Sequence, residues 1–188
     1  MRAGGKNAAK VALTPEEVIR RRLRRLSNRE DIGAFFGRLI LLAVILYIIL
    51  GVVYGITPVK NDDMSPKMSY GDLALYYRLE RTVRIGDIVV FDDDDGRHIG
   101  RIVAQEGDSV EIDQERLMIN GAVVNENDIF YATYPYEGAV TYPLELGQGE
   151  YFVLCDHRQL AYDSRYFGAL EASQIKGKII TVIRRNEL

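Results

Sequence analysis

Leu39 to Val59 runs for 21 residues without a charged side chain. As a helix rising 1.5 Å per residue it reaches about 31 Å, one bilayer crossing. The run therefore predicts a transmembrane helix over 39–59. A cleaved export signal would have a shorter apolar region and an Ala-x-Ala-like site, and Gly55-Ile56-Thr57-Pro58 offers none. The expectation is an uncleaved anchor. Residues 1–38 hold ten Lys/Arg against four Asp/Glu, with Arg20, Arg21, Arg22, Arg24, Arg25 and Arg29 clustered and Arg38 at the edge. By the positive-inside rule the N-terminus stays cytoplasmic and everything after Lys60 is extracellular. A basic run beside an anchor reads as a topology signal and a contact with membrane lipid. Thr14-Pro15-Glu16-Glu17 supplies an N-cap, a proline at N1 and a glutamate at N3, so a short cytoplasmic helix is predicted across the arginines.

Beyond the apolar run the patterning changes from helical to β. Leu73–Arg78, Ile88–Phe91, His98–Ala104, Ser109–Ile112, Tyr151–Leu154 and Lys178–Ile183 are short, rich in branched and aromatic residues, and separated by turn signals. Leu117 to Val124 reads as a hairpin turning at Asn120-Gly121, a pair suited to a type I′ turn. Glu171 to Ile175 reads as a single helical turn. The predicted class is mainly β: a tail over 1–38, a membrane helix over 39–59 and an all-β domain over 60–188. Residues 59–188 carry fourteen Lys/Arg against twenty-three Asp/Glu, an acidic balance that opposes nucleic acid as a partner. One cysteine, Cys155, permits no intrachain disulfide, and an exported domain without disulfides fits a Gram-positive surface. Asp92-Asp93-Asp94-Asp95-Gly96 lacks the spacing and distal Glu of a calcium loop and reads as a solvated hairpin tip, so no metal or cofactor is expected. Tyr131, Tyr134, Tyr136 and Tyr142 lie in a Phe130–Pro143 excursion, read first as a cover over the core and second as a protein-binding surface.

Four ordered segments resemble the motifs of type I signal peptidases. Asp63-Met64-Ser65-Pro66-Lys67-Met68 with Gly71-Asp72 resembles Ser-Met-x-Pro-x-Leu followed by Gly-Asp. Gly86-Asp87-Ile88-Val89-Val90-Phe91 resembles the next strand. Gly100-Arg101-Ile102-Val103 through Gly107-Asp108 resembles Lys-Arg-Val through Gly-Asp. Cys155 to Gly168, ending Asp163-Ser164-Arg165-Tyr166-Phe167-Gly168, resembles the last motif. The family's chemistry is a serine nucleophile, a buried lysine base with a lowered pKa, a serine orienting that lysine and a serine on the oxyanion. On this chain those four positions read Asp63, Gly100, Ala161 and Asn61. An acylated aspartate would be an anhydride, a poor trap for amide hydrolysis, so the resemblance implies a fold kept and a dyad lost.

Ser65 and Lys67 fall at variable and exposed positions and are not expected to form a replacement dyad. His98 and His157 read as a strand-surface residue and a loop contact. Asp156, Arg158, Asp163, Ser164, Arg165 and Gly168 read as structural, with Asp163 and Arg165 paired. Asp63, Met64, Pro66, Gly100 and Arg101 are the binding-cleft candidates. Gly100 is expected to open space there; Asp63 is expected either to be satisfied within the chain by Arg101, a backbone amide or water, or to accept a basic side chain from a partner such as a lysine-bearing pilin segment. The pattern is similar to the catalytically inactive signal-peptidase-like subgroup of Gram-positive bacteria. That resemblance implies an assembly factor for sortase-built pili, with pilin subunits and a class C sortase as partners. The alternatives are a regulatory partner of an active signal peptidase, and an active enzyme of unusual chemistry.

Overall fold

The computed structural model describes residues 14–80, 82–159 and 161–185, with side chains at 21–29 outside the description. The contacts of the arginine cluster from Arg21 to Arg29 lie outside it too. The chain divides into two units, 1–47 and 48–188.

Among the described residues, the first unit is taken up after Thr14 by one continuous helix, α1 (Pro15–Ile48), which ends one residue beyond it. Its start is the predicted box: Thr14 N–H donates to Glu17 Oε2 at 2.9 Å and Glu17 N–H to Thr14 Oγ1 at 3.4 Å. The expected short helix and the expected span are joined, because no proline interrupts the chain between Pro15 and Leu39. Glu30–Val53 is long and apolar enough to cross a membrane, with a mean hydropathy of 2.6.

The predicted end of the span at Val59 is corrected. After Ile48 comes a π-helical turn, Ile49–Val53, and then a strand, β1 (Tyr54–Pro58), paired along β2 (Leu73–Tyr77). Two local features favour the strand. Pro58 cannot continue a helix, and Gly55 lies under the Tyr76 ring, where a Cβ would collide.

The second unit is antiparallel β throughout its described pairings. Its remaining strands are β3 (Ile88–Asp93), β4 (Gly96–Gln105), β5 (Ser109–Asp113), β6 (Arg116–Ile119), β7 (Ala122–Val123), β8 (Leu144–Glu145), β9 (Glu150–Leu154), β10 (Leu170–Glu171) and β11 (Ile175–Ile183). A seven-stranded sheet runs β1-β2-β11-β3-β4-β9-β10, and a four-stranded sheet runs β7-β6-β5-β8. Val103, Ala104, Val110, Ile112, Leu117, Phe152 and Leu154 form one core that joins the two sheets. A second core holds Val89, Phe91, Ile102, Val153 and Leu170.

One turn device recurs three times. Gly71, Gly86 and Gly107 have φ of 90°, 93° and 83°, the left-handed region that glycine enters without strain. The aspartate after each closes the turn with its carboxylate. Asp72 accepts from Ser69 N–H at 3.1 Å, Asp87 from Arg84 N–H at 3.0 Å and Asp108 from Gln105 N–H at 3.0 Å. The Gly-Asp pairs are thus three copies of one three-residue-back turn. The predicted hairpin tip is also present, with Asn120 and Gly121 at φ of 52° and 77°. The aspartate run turns at Asp94-Asp95, where Asp93 Oδ1 accepts from Asp95 N–H at 2.9 Å and Gly96 N–H at 3.0 Å.

The tyrosine-rich excursion is a cover tied down by buried arginines. Arg158 donates to Thr133 Oγ1 and to Glu126 Oε1, each at 2.6 Å. Arg165 donates to Tyr134 O at 3.2 Å and stacks over the Tyr136 ring at 4.6 Å. The Tyr136 hydroxyl donates to Ala161 O at 2.8 Å.

Candidate functional site

The segment from Val59 to Asp72 is a closed loop. Val59 N–H donates to Asp72 O at 2.8 Å and Gly71 N–H to Val59 O at 3.0 Å, so β1 and β2 continue to pair across its neck. Inside, Met64 and Met68 are each 1 % exposed and pack with Val59, Ala74, Cys155 and Ala161. Met68 N–H donates to Met64 O at 3.0 Å, a single helical turn that sets both methionines on one side. Burying them fixes the backbone of Asp63. From the far end of the chain, His157 N–H donates to Asp63 O at 2.8 Å.

The Asp63 carboxylate is half-buried and accepts from the Asn61 amide at 2.6 Å and from the Tyr162 N–H. Burial pushes its pKa up, and the Asp163 carboxylate pushes it further. His157, the Tyr162 N–H and His98 act in the opposite direction. Of the expected partners a backbone amide is present, that of Tyr162, and Arg101 is not. Arg101 turns instead to Asp156, with Nε 2.7 Å from Oδ1, and donates to Gly86 O at 2.9 Å.

The expectation of open space at Gly100 is also corrected. Gly100 is buried, and a Cβ built on it would collide with Cγ1 of Val153 and lie 3.5 Å from the Phe91 ring. Ala161 is 2 % exposed and belongs to the methionine cluster. Neither position contributes a side chain to an open site.

Asp63 lines a cleft of 170 Å³ with Asn61, Asp95, Arg97, His98 and Tyr162. Met64 borders it too, whereas Pro66, Gly100 and Arg101 lie outside its lining. Both walls are strand edges. β1 is the terminal strand of its sheet, and the register of β4 with β9 begins only at Arg101, leaving Arg97–Ile99 facing the cleft. A larger, more apolar cavity of 300 Å³ lies between Arg101–Val103 and the Val124–Ile129 loop. The cleft beside Asp63 is the better candidate because the titratable groups gather there.

Sequence reasoning missed its far wall. His98 was expected on a strand surface but is half-buried, 5.7 Å from the Phe91 ring and 4.9 Å from Tyr162. Its Nε2 lies 3.1 Å from Asp93 Oδ1 in a poorly directed contact. Both Nε2 and Asp93 Oδ2 lack a hydrogen-bond partner among the described residues. The Tyr162 hydroxyl is pushed up to about 12 by burial and by the Asp93 and Asp95 carboxylates. Strand alternation carried the missing signal, since His98 shares a face with Gly100 two residues on.

Asp163 and Arg165 form a buried two-point pair at 2.9 and 2.8 Å, and Asp163 also caps the short helix α2 (Ser164–Phe167) by accepting from Arg165 N–H at 3.1 Å. Ser164 Oγ accepts from Val153 N–H at 2.9 Å, and Gly168, at φ 85°, ends the helix. Lys67 is half exposed, with Nζ 3.5 Å from Asp128. No cluster of three metal-ligating side chains occurs among the described residues. His157 makes the expected loop contact, with its ring 4.4 Å from Tyr131.

A β domain presenting a cleft between strand edges, directly after an apolar helix in sequence, defines the class of protein. The chain belongs to the signal peptidase family, peptidase S26, matched over residues 32–183. It is 30% identical over 165 residues to a probable signal peptidase I-2 from Synechocystis sp., covering 81% of this chain and 73% of that protein. It is 27% identical over 164 residues to a signal peptidase I from Bacillus licheniformis, covering 80% and 88% respectively. A crystal structure of a signal peptidase I from Enterococcus faecalis V583 aligns at 26% identity and a TM-score of 0.45, over 53% of this chain and 97% of that one.

Proposed function

We propose that this chain is a non-catalytic signal-peptidase-like membrane protein that holds peptide segments without cutting them. The observation carrying this reading is the pair of positions where nucleophile and base belong. One is Asp63, whose acyl product would be an anhydride. The other is Gly100, whose missing side chain is replaced in space by Val153. A lysine base needs a buried, desolvated position beside the nucleophile, and none is available there. The nearby candidates are otherwise engaged: Ser164 Oγ holds Val153 N–H, and Lys67 is half exposed near Asp128.

The apolar Glu30–Val53 segment supports a membrane anchor. With the arginine-rich segment before it on the cytoplasmic side, the β domain faces outward. By the resemblance to the inactive Gram-positive subgroup, the protein acts as an assembly factor for sortase-built pili, engaging pilin subunits and a class C sortase. Deleting the gene tests this role. Pilin should still be exported while high-molecular-weight pilin polymers are lost; normal polymers in the deletion strain refute it. Incubating the purified full-length chain with a preprotein tests the absence of cleavage. Processing that disappears on removal of the β domain refutes the non-catalytic reading.

A further inference from the structure

We infer that the cleft beside Asp63 takes the basic side chain, lysine or arginine, of a peptide segment lying extended between β1 and β4. The inference rests on the peptide-holding reading above and adds the chemistry of what is held.

The first support is the cleft's charge. Asp63 stands on one wall and Asp95 on the other, and neither forms an ion pair with a lysine or arginine among the described residues. The neighbouring guanidinium groups are already occupied. Arg97 donates twice to Asp92 at 2.7 and 2.9 Å, Arg165 twice to Asp163, and Arg101 to Asp156. Lys60, on the rim, is the remaining cation of the lining. Asp63 is thus a half-buried carboxylate whose hydrogen-bond donors, the Asn61 amide and the Tyr162 N–H, are neutral, an arrangement that a charge-assisted bond from an incoming cation would complete.

The second support is shape. Val59, Met64 and Ile99 provide an apolar floor, along which the methylene stem of a lysine or arginine can lie with its charged head at Asp63. The third support is the two strand edges, which offer backbone bonds to an extended chain irrespective of its side chains. On the β4 wall His98 keeps an unpartnered Nε2, and Asp93, which ends β3 outside the lining, an unpartnered Oδ2.

The test uses the full chain in nanodiscs of uncharged phosphatidylcholine. The probes are short capped peptides of β-forming sequence that differ only at a central lysine, arginine, norleucine or glutamate. At neutral pH the lysine and arginine peptides should bind about tenfold tighter than norleucine. Asp63→Asn should abolish that preference, so that lysine, arginine and norleucine peptides bind alike to the variant, and Asp95→Asn should reduce it. The preference should fade as pH falls and Asp63 takes up its proton. Equal binding of lysine and norleucine, preference for glutamate, or a preference that survives both variants overturns this inference and leaves the peptide-holding reading standing. If none of the peptides binds, the peptide-holding reading fails and takes this inference with it.

Discussion

Val153 occupies the space that a side chain on Gly100 would need. The two residues lie 53 positions apart on strands β9 and β4, and the contact makes each small or branched side chain a condition of the other. On the non-catalytic reading proposed above, the lack of a base at position 100 is a matter of core packing as well as of one codon. Gly100→Lys should be destabilising by about 1–3 kcal/mol from overpacking, and Gly100→Ala should also destabilise. Asp63→Ser with Gly100→Lys should yield no measurable peptidase activity, because the lysine is misplaced and Ala161 and Asn61 supply neither serine hydroxyl. Adding Val153→Ala should recover much of the lost stability without restoring turnover. Thermal melts and a preprotein cleavage assay on the three variants check each step. Turnover in the double variant would show that the site retains more of the dyad's frame than Val153 allows.

Asp63 lies within the closed loop that Asp72 ends, and the pKa values of the two carboxylates are shifted in opposite directions. Burial raises the Asp63 pKa, so its contribution to folding is most favourable below the unfolded value and is lost as pH rises through the folded one. At neutral pH its charge costs stability. Asp63→Asn should raise Tm by a few degrees near neutrality, and the gap should narrow toward pH ~4. Asp72 is held low by the Ser69 and Arg185 N–H groups. Its contribution is present above the unfolded value and lost as pH falls through the folded one, so Asp72→Asn should lower Tm near neutrality and approach the parent in acid. Melts of both variants across pH decide this. A residue that costs stability when charged is what a recognition group in a cleft looks like.

Much of the β domain was legible because its strands are short, branched and punctuated by Gly-Asp and Asn-Gly. β1 was not. Tyr54–Pro58 is as free of charge as the end of the helix before it, and so short an apolar run cannot be told from the end of a span by periodicity. The two-residue strands β8 and β10 are too short to carry a pattern. The motif positions Asp63, Gly100 and Ala161 could be placed by resemblance, but their surroundings could not. Arg101 faces Leu154 across the sheet, which brings Asp156 within reach and takes the arginine away from Asp63. The far wall of the cleft is assembled from the β3–β4 tip and the last motif, an encounter that only the folded chain brings about.

Cys155 reports on the opening of this core. Its thiol is 1 % exposed, and burial pushes its pKa well up, with Asp163 and Asp63 adding to the effect. A buried, protonated thiol is inert. In the native full-length protein it should resist iodoacetamide, with labelling following global unfolding in urea. Fast stoichiometric labelling under native conditions would mean that the Met64–Met68 cluster opens locally.

Arg158 is the cation on which the tyrosine-rich cover depends. Its guanidinium is fully buried and donates to Cys155 O at 2.7 Å, to Thr133 and to Glu126, whose side chain is 18% exposed. Two segments distant in sequence, 126–133 and 155–158, thus meet on one side chain. Removing it leaves buried acceptors and a partly buried carboxylate unpaired, so Arg158→Ala should cost about 3–5 kcal/mol. Pairing Arg158→Met with Glu126→Gln should cost less than the sum of the single changes, because the second substitution removes the stranded charge. Amide exchange should localise the loss, with protection falling first between Glu126 and Tyr136, where Arg158 and Arg165 hold the cover, and later in β4. Uniform loss of protection across the sheet would instead make Arg158 a keystone of the whole domain.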